Sequence, residues 1–200
     1  MIQTVDYFLA PQSPWTYLGH TRFVDMARAA GAAVRVMPVD LGKVFPVSGG
    51  LPLARRAPQR QAYRLVELRR FSDFLGLPLV LQPKWFPVAA DDAARLIVAV
   101  ELADGADAAL ALAGLLLAAV WAQERDISNP VVLAELLQEA GLDGARLAQA
   151  QSPAVQARYD QNTDLAIHCG VFGAPTYRIG DTLFWGQDRL DFVARRLGTA

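Results

Sequence analysis

Cysteine is almost absent from this chain, because Cys169 is the only one among 200 residues. A scaffold of disulfide bonds within the chain is therefore excluded, whereas a reducing compartment is permitted. Histidine is also scarce: the chain has two, and neither occurs in the sequence context of a nucleophile elbow. We therefore expect no Ser–His–Asp triad and no metal site.

An excess of charge is also missing. Nineteen Lys and Arg residues stand against twenty Asp and Glu residues, which gives a net charge of -1 and predicts no general attraction to nucleic acid or to anionic membranes. The longest uncharged apolar stretch, residues 108–122, is shorter than the roughly 20 residues that span a bilayer. The first residues contain no basic segment followed by an apolar core, so we expect no signal peptide and a cytoplasmic location.

What the chain has is apolar side chains: they make up 53% of its residues, and charged ones 20%. This composition predicts a folded protein with a sizeable core rather than a disordered one. The length fits one large domain or one domain with an insertion.

The first forty residues predict a βαβ unit. Residues 2–9 form an apolar run typical of a strand, Pro14 opens a helix that extends to about Ala30, and residues 34–39 predict a second strand parallel to the first. The following segment, residues 41–57, is rich in Gly, Pro and Arg and is predicted to be a loop.

The rest of the chain predicts a block of helices followed by a return to β-structure. Helices are expected over residues 58–75, 91–103, 106–124, 130–140 and 153–169, a hairpin over 176–179 and 182–185, and a last helix over 188–197. Without the block, the element order is that of thioredoxin. We therefore predict an α/β, thioredoxin-like fold with a large all-helical insertion: residues 1–40 and 151–200 form the thioredoxin-like domain, and residues 41–150 form the inserted helical domain.

The segment Ser13-Pro14-Trp15-Thr16-Tyr17 lies where the first strand leads into the first helix. A hydroxyl at this point lies near backbone N–H groups at the positive end of the helix and can help to hold an anion. A plain helix cap before Pro14 is the alternative interpretation of Ser13. Thioredoxin-like proteins carry a Cys-x-x-Cys pair here, and Ser13 and Thr16 take both cysteine positions, so disulfide exchange is disfavoured.

Two segments near the end of the chain are further candidates. A cis bond between Ala174 and Pro175 would direct the backbone groups of Ala174 toward a peptide-like ligand, although proline is also common at the first residue of a strand. Asp188, within Gly186-Gln187-Asp188-Arg189, either binds a ligand ammonium group or caps the last helix.

Arginines cluster in the middle of the chain, with Glu67 as the only opposing charge. The cluster consists of Arg55, Arg56, Arg60, Arg64, Arg69 and Arg70. Three of them recur every four residues and share a helix face, which is either solvated or an anion-binding surface. Four aromatic residues could line a pocket or belong to the core: Trp15, Trp85, Phe86 and Trp185.

With these features in order, the chain resembles the 2-hydroxychromene-2-carboxylate isomerases, within the DsbA-like thioredoxin superfamily and close to the kappa-class glutathione transferases. The resemblance covers essentially the whole length. It rests on residues 13–18 (SPWTYL), 38–42 (PVDLG), 76–79 (GLPL), 125–128 (RDIS), 141–143 (GLD), 170–176 (GVFGAPT) and 184–190 (FWGQDRL).

The resemblance implies a thioredoxin fold with a helical insertion, glutathione as cofactor and a homodimer. It implies that Ser13 is catalytic, because its hydroxyl bonds the glutathione sulfur and favours the thiolate. Pro175 would be cis, with the backbone of Ala174 paired with the tripeptide. Gln187 and Asp188 would contact the γ-glutamyl end.

Arg60 is similar in position to a basic residue of kappa-class enzymes that contacts the glycine carboxylate of glutathione. The implied reaction is a cis–trans isomerisation of 2-hydroxychromene-2-carboxylate, or of a similar intermediate of aromatic degradation, by reversible thiolate addition to an alkene. The arginine cluster suits such a small anionic aromatic substrate.

One departure concerns the loop after the second strand, where relatives often carry Asn, a basic residue and Pro, whereas residues 48–52 read SGGLP. Two alternatives stay open. One is a kappa-like glutathione transferase acting on another electrophile, and the other is a non-catalytic thioredoxin-fold binding protein.

Overall fold

The centre of the protein is a four-stranded sheet, described by a computed structural model that covers residues 2–199. The strands are β1 (Thr4–Leu9), β2 (Ala33–Pro38), β3 (Thr176–Ile179) and β4 (Thr182–Trp185), in the order β2-β1-β3-β4. β1 is parallel to β2 and antiparallel to β3, and β3 is antiparallel to β4. The predicted parallel pair and hairpin are therefore confirmed.

Helices surround this sheet and fill the middle of the chain. They are α1 (Pro14–Ala29), α2 (Leu41–Ser48), α3 (Pro58–Leu75), α4 (Asp91–Asp104), α5 (Ala106–Trp121), α6 (Pro130–Glu139), α7 (Ala145–Gln149), α8 (Pro153–His168) and α9 (Leu190–Leu197), with 3₁₀ turns at Leu53–Arg55 and Gln187–Arg189. The α/β, thioredoxin-like class with inserted helices is confirmed. Within residues 2–199, no helix combines the length and the apolar character that crossing a membrane requires.

The prediction of a loop over residues 41–57 is wrong for its first part, which forms α2, whereas residues 49–57 contain only a 3₁₀ turn. The Asp40 side chain caps the helix by accepting the N–H of Gly42 at 2.7 Å. Gly49 ends it in the left-handed conformation, with φ at 76°, where glycine has no steric penalty. Gly42 and Pro46 lie inside the helix, so some of the residues that suggested a loop belong to a short helix.

The helical block and the sheet share one hydrophobic core. Val5, Tyr7 and Leu9 of β1 belong to the same buried cluster as Ile97 of α4 and Leu116 of α5. The opposite face of the sheet carries a smaller cluster that includes Phe8, Met37 and Ala166. The inserted helices therefore cover one face of the sheet. A division of the chain into two domains at residues 40 and 151 stays a prediction.

His20 joins the sheet to the helical block through two buried hydrogen bonds. Its Nε2 lies 2.9 Å from the carbonyl oxygen of Leu110 on α5, and its Nδ1 lies 3.1 Å from the hydroxyl of Tyr7 on β1. A carbonyl can only accept, so Nε2 carries the proton and Nδ1 accepts from Tyr7. Burial lowers the pKa of His20 to about 4, because the charged ring is poorly solvated there.

Asp6 is buried in the middle of the sheet and pairs with arginines on both neighbouring strands. Its carboxylate accepts from Arg35 of β2 at 2.5 Å and from Arg178 of β3 at 3.1 Å. These two arginines are also its register partners across the sheet. The pairing thus satisfies a buried charge and ties three strands together.

Candidate functional site

Ser13 forms the start of α1 and reaches across to the loop before β3. Its hydroxyl oxygen accepts the N–H of Thr16 at 3.2 Å, so it is an N-cap. The hydroxyl also donates to the carbonyl oxygen of Ala174, again at 3.2 Å, and the residue is only 7% exposed. Ser13 therefore caps a helix and also contacts the candidate loop.

The Ala174–Pro175 peptide bond is cis, as the resemblance implied. The carbonyl oxygen of Pro175 accepts the N–H of Gly186 at 2.9 Å, which fixes this loop next to the turn that follows β4. Among residues 2–199, no protein atom accepts the N–H of Ala174. One backbone donor beside Ser13 is therefore available to a ligand.

Gln187 and Asp188 lie in the turn that Gly186 begins, but their side chains differ in access. Gln187 is 2% exposed, and its side-chain oxygen accepts from Arg22 of α1 at 3.0 Å. Its side chain therefore serves an internal contact that the sequence did not indicate. The side chain of Asp188 is 45% exposed and pairs with Arg189 at 2.9 Å, so its carboxylate can still be reached from solvent.

Arg60 lies on α3, apart from these residues. It is exposed, and no hydrogen bond or ion pair within the described chain connects it to Ser13 or Asp188. α3 itself does reach the start of α1, because the rings of Phe71 and Trp15 meet edge to face with their centroids 6.1 Å apart. The structure thus brings Ser13, Ala174, Pro175 and the 187–188 turn together, with α3 alongside.

Several buried polar atoms around α1 have no partner within residues 2–199. They are the Gln12 side-chain oxygen, the Thr16 hydroxyl, the Tyr177 hydroxyl and the Gln187 side-chain nitrogen. Burial raises the pKa of Tyr177, so its hydroxyl stays protonated. Buried polar groups without partners are rare, and this grouping marks the start of α1 as a polar region. Sequence reasoning missed Gln12 and Tyr177, because residues distant in the chain build the region.

The four aromatic residues that could line a pocket or belong to the core take part in separate contacts. Trp15 meets Phe71, Phe86 packs on Trp121, and Trp185 packs on Phe172. Trp85 is exposed beneath the ammonium group of Lys84.

Comparison with known proteins agrees with this geometry. The DSBA-like thioredoxin domain matches residues 4–198. A 2-hydroxychromene-2-carboxylate isomerase from Pseudomonas putida is 30% identical over 199 residues, which cover 97% of this chain and 94% of that protein. The chain belongs to the 2-hydroxychromene-2-carboxylate isomerase family. A second isomerase of the family, from Sphingobium xenophagum, is 29% identical over 96% of this chain and 97% of its own length.

Solved structures extend the comparison to three dimensions. A 2-hydroxychromene-2-carboxylate isomerase superposes with a TM-score of 0.81 and 29% identity over 98% of this chain and 94% of that structure. The cytosolic disulfide reductase DsbM of Pseudomonas aeruginosa, solved with GSH, superposes with a TM-score of 0.69 over 98% of this chain and 99% of its own. At 18% identity, DsbM shares the fold of this isomerase-family member.

Proposed function

We propose that this protein is a glutathione-dependent cis–trans isomerase of 2-hydroxychromene-2-carboxylate or of a similar intermediate of aromatic degradation. The observation that carries the proposal is the buried Ser13 hydroxyl at the start of α1, in contact with the carbonyl of Ala174. The nearly full-length similarity to isomerases of that name supports the reaction. The similarly folded DsbM, solved with GSH, supports the cofactor.

The residues at the start of α1 fit the chemistry of a thiol peptide such as glutathione. Ser13 supplies a hydroxyl, and the N–H of Ala174 is an uncommitted donor for a peptide carbonyl. The positive end of α1 and a nearby hydroxyl donor both favour the charged form of a thiol. When bound, glutathione would supply a nucleophilic thiolate whose reversible addition to a conjugated alkene permits rotation about that bond.

The chain's own contribution begins with the Ser13 hydroxyl. Its single proton is directed at the Ala174 carbonyl oxygen, while its oxygen accepts from Thr16. Rotation of the hydroxyl would let Ser13 donate to a ligand sulfur instead of to Ala174, while its oxygen continues to accept from Thr16. A hydrogen bond to a charged group contributes about 1.5–3 kcal/mol, enough to shift a thiol substantially toward its thiolate.

The other predicted contacts would bind the two charged ends of glutathione. We propose that Asp188 pairs with the ammonium group of the γ-glutamyl residue, because its carboxylate is accessible. Gln187 supports the turn through Arg22 and would contribute through its backbone. Arg60, an exposed cation on α3, would pair with the glycine carboxylate.

The test compares Ser13→Ala with Ser152→Ala. Ser152 also caps a helix ahead of a proline, accepting from Val155 at the start of α8. Both variants lose a cap, with an expected cost of about 1 kcal/mol of unfolding free energy. Only Ser13→Ala should lower glutathione-dependent turnover, by about 10- to 100-fold, because it alone removes the donor to the thiolate.

Isomerisation is followed by the absorbance change of 2-hydroxychromene-2-carboxylate with and without glutathione, and glutathione binding by calorimetry. Turnover that is independent of glutathione would contradict the proposal. So would equal turnover in the two serine variants.

The proposal includes a homodimer and a cytoplasmic location. The dimer is what the family resemblance implies, and light scattering across a range of concentrations tests it; a monomer mass throughout would contradict it. The cytoplasm supplies the reduced thiol that the reaction requires. Fractionation of the native cell tests the location. Recovery of the protein from the periplasm or the medium would contradict it.

A further inference from the structure

Arg64 is a half-buried cation held over two aromatic rings. Its guanidinium carbon lies 5.3 Å from the ring centroid of Phe86 and 5.5 Å from that of Trp121. The two rings pack on each other with centroids 4.8 Å apart, and Trp121 is fully buried. The arginine is thus fixed against an apolar wall instead of extending freely into solvent.

This cation has no counter-charge in the described part of the chain. No carboxylate between residues 2 and 199 forms an ion pair with Arg64. Burial and, to a smaller extent, the positive charge of Arg56 together lower the pKa of Arg64 to about 10. Burial and Arg60 likewise lower the pKa of Arg56. Positive charge is thus concentrated where water is partly excluded. A bound anion would offset both the loss of solvation and the repulsion between the arginines.

The position of Arg64 on α3 directs it inward. Leu68, four residues later, is fully buried, and Phe71, seven residues later, contacts Trp15 beside Ser13. Residues with these spacings share one helix face, so Arg64 occupies the face of α3 that turns toward α1. Along the helix axis it is about 10 Å from Phe71.

A guanidinium that stacks on rings keeps its hydrogen-bonding edge free. Its five N–H donors lie in the guanidinium plane and match the two oxygens of a carboxylate. None of these donors has an acceptor in the described chain, whereas the Nε–H of Arg56 is committed to the carbonyl of Leu51 at 2.8 Å. Arg64 is therefore the member of the cluster that is both fixed and uncommitted.

We infer that Arg64 binds the carboxylate of the aromatic substrate, with Phe86 and Trp121 holding the guanidinium in place. This assignment rests on the proposed function and deepens it by naming the residue that selects a carboxylate-bearing aromatic compound. It separates Arg64 from the exposed Arg60, which is proposed for the glycine carboxylate of glutathione.

The test measures binding of 2-naphthoate, an inert aromatic carboxylate, through the fluorescence of the chain's tryptophans. Methyl 2-naphthoate is the neutral comparison ligand. The variants are Arg64→Gln, Arg64→Lys and, as matched control, Arg69→Gln, which removes the same charge from an exposed position of α3 about 140° away around the helix.

Arg64→Gln should weaken 2-naphthoate binding about 10- to 100-fold, because it removes a charge-assisted, two-point contact. Arg64→Lys should be intermediate, since it keeps the charge without the fork. Arg69→Gln should bind like the parent protein, and the neutral ester should bind all four proteins equally. With the isomerase substrate, Arg64→Gln should raise KM by a similar factor and leave kcat within about threefold.

Three outcomes would overturn the inference. One is equal 2-naphthoate affinity in the parent and Arg64→Gln proteins. Another is an equal loss of ester binding, which would mean that Arg64 only supports the fold. The third is weaker glutathione binding by Arg64→Gln with 2-naphthoate unaffected, which would assign Arg64 to the cofactor. Intact Arg64-dependent 2-naphthoate binding without any isomerase activity would contradict the proposed function alone.

Discussion

Asp6 carries a charge in a place where a single unpaired charge would be very unfavourable. Its side chain is 5% exposed and lies between Arg35 and Arg178, which are 51% and 23% exposed. The carboxylate is thus the buried member of a three-residue network whose arginines keep contact with water. Such an arrangement retains most of the pairing energy without burying three charges.

We predict that Asp6→Asn lowers the free energy of unfolding by about 1–3 kcal/mol, because it removes the charged acceptor of two arginines and keeps the shape. Asp181→Asn is the matched control. Asp181 also pairs with Arg178, at 3.6 Å, but is fully exposed, so we expect a change within about 0.5 kcal/mol. Urea titrations of both variants measure the difference, and equal effects would contradict the prediction.

At the residue scale, the sequence was most informative where a local rule applies. Ser13 could be placed at a helix start because strand, loop and proline follow one another in the chain. Its partner Ala174 is 161 positions away. The sequence indicates Ala174 as a ligand-facing residue through Pro175, but no local rule predicts that its carbonyl accepts from Ser13. The contact of Gln187 with Arg22 was missed, because no local pattern indicates which buried amide meets which arginine.

Gly19 determines how closely α1 approaches the turn at Gln187–Arg189. A Cβ atom at this position would lie 2.7 Å from the Cβ of Gln187, 3.3 Å from its Cα and 3.1 Å from the hydroxyl of Tyr177. The Cα of Gln187 is a backbone atom and its Cβ is attached directly to the backbone, so neither can move aside without moving the turn. The glycine is therefore needed for the contact between the two elements that carry Ser13 and Asp188.

We predict that Gly19→Ala destabilises the protein by about 1–3 kcal/mol, because overpacking exceeds the gain in helix propensity. It should also weaken glutathione binding, since the turn must shift. Gly144→Ala serves as control: its φ is -57° and no atom lies within 4 Å of the added Cβ, so stability should be unchanged or slightly higher. Chemical denaturation and calorimetry check both, and a stable Gly19→Ala protein with normal affinity would contradict the argument.

At the element scale, capping signals predicted most of the fold. α3 and both hairpin strands have the predicted bounds, because Pro58, Gly76 and the Gly180-Asp181 turn are strong local markers. α2 was missed because the same residue types, proline and glycine, occur inside and at the end of a short helix. α7 was missed as well; it is five residues long, too short for periodicity to show.

His20 lies at the junction between the sheet and the inserted helices, so its protonation concerns the whole molecule. Its folded-state pKa of about 4 is below the usual 6.5. Between these values the unfolded chain binds a proton that the folded protein does not, so stability falls as the pH decreases from about 6.5 to 4. The contribution is complete above pH 6.5 and amounts to about 3 kcal/mol.

We predict that His20→Gln flattens the decline of unfolding free energy between pH 7 and pH 4, relative to the parent protein. His168→Gln, at an exposed position at the end of α8, is the matched control for replacing a histidine by glutamine. Urea unfolding at several pH values measures the slopes. Parallel curves for the parent and His20→Gln proteins would contradict the assignment.

The shared core also bears on the predicted division at residues 40 and 151. Since β1, α4 and α5 contribute to one buried cluster, we propose that the thioredoxin-like part and the inserted helices unfold in one transition. Unfolding curves followed by tryptophan fluorescence and by circular dichroism should then coincide. Two separate transitions would mean that the helical block is an independent unit.

The central position of β1 has a consequence for synthesis on the ribosome. Its partner β3 begins at Thr176, so one edge of β1 stays unpaired until about 165 further residues have been translated. Their translation takes on the order of 10–30 seconds. During that interval the nascent chain exposes an apolar strand edge, the kind of surface that pairs wrongly or recruits chaperones. Ser13, too, meets Ala174 only after this interval, so the candidate site cannot form before residue 174 has been translated.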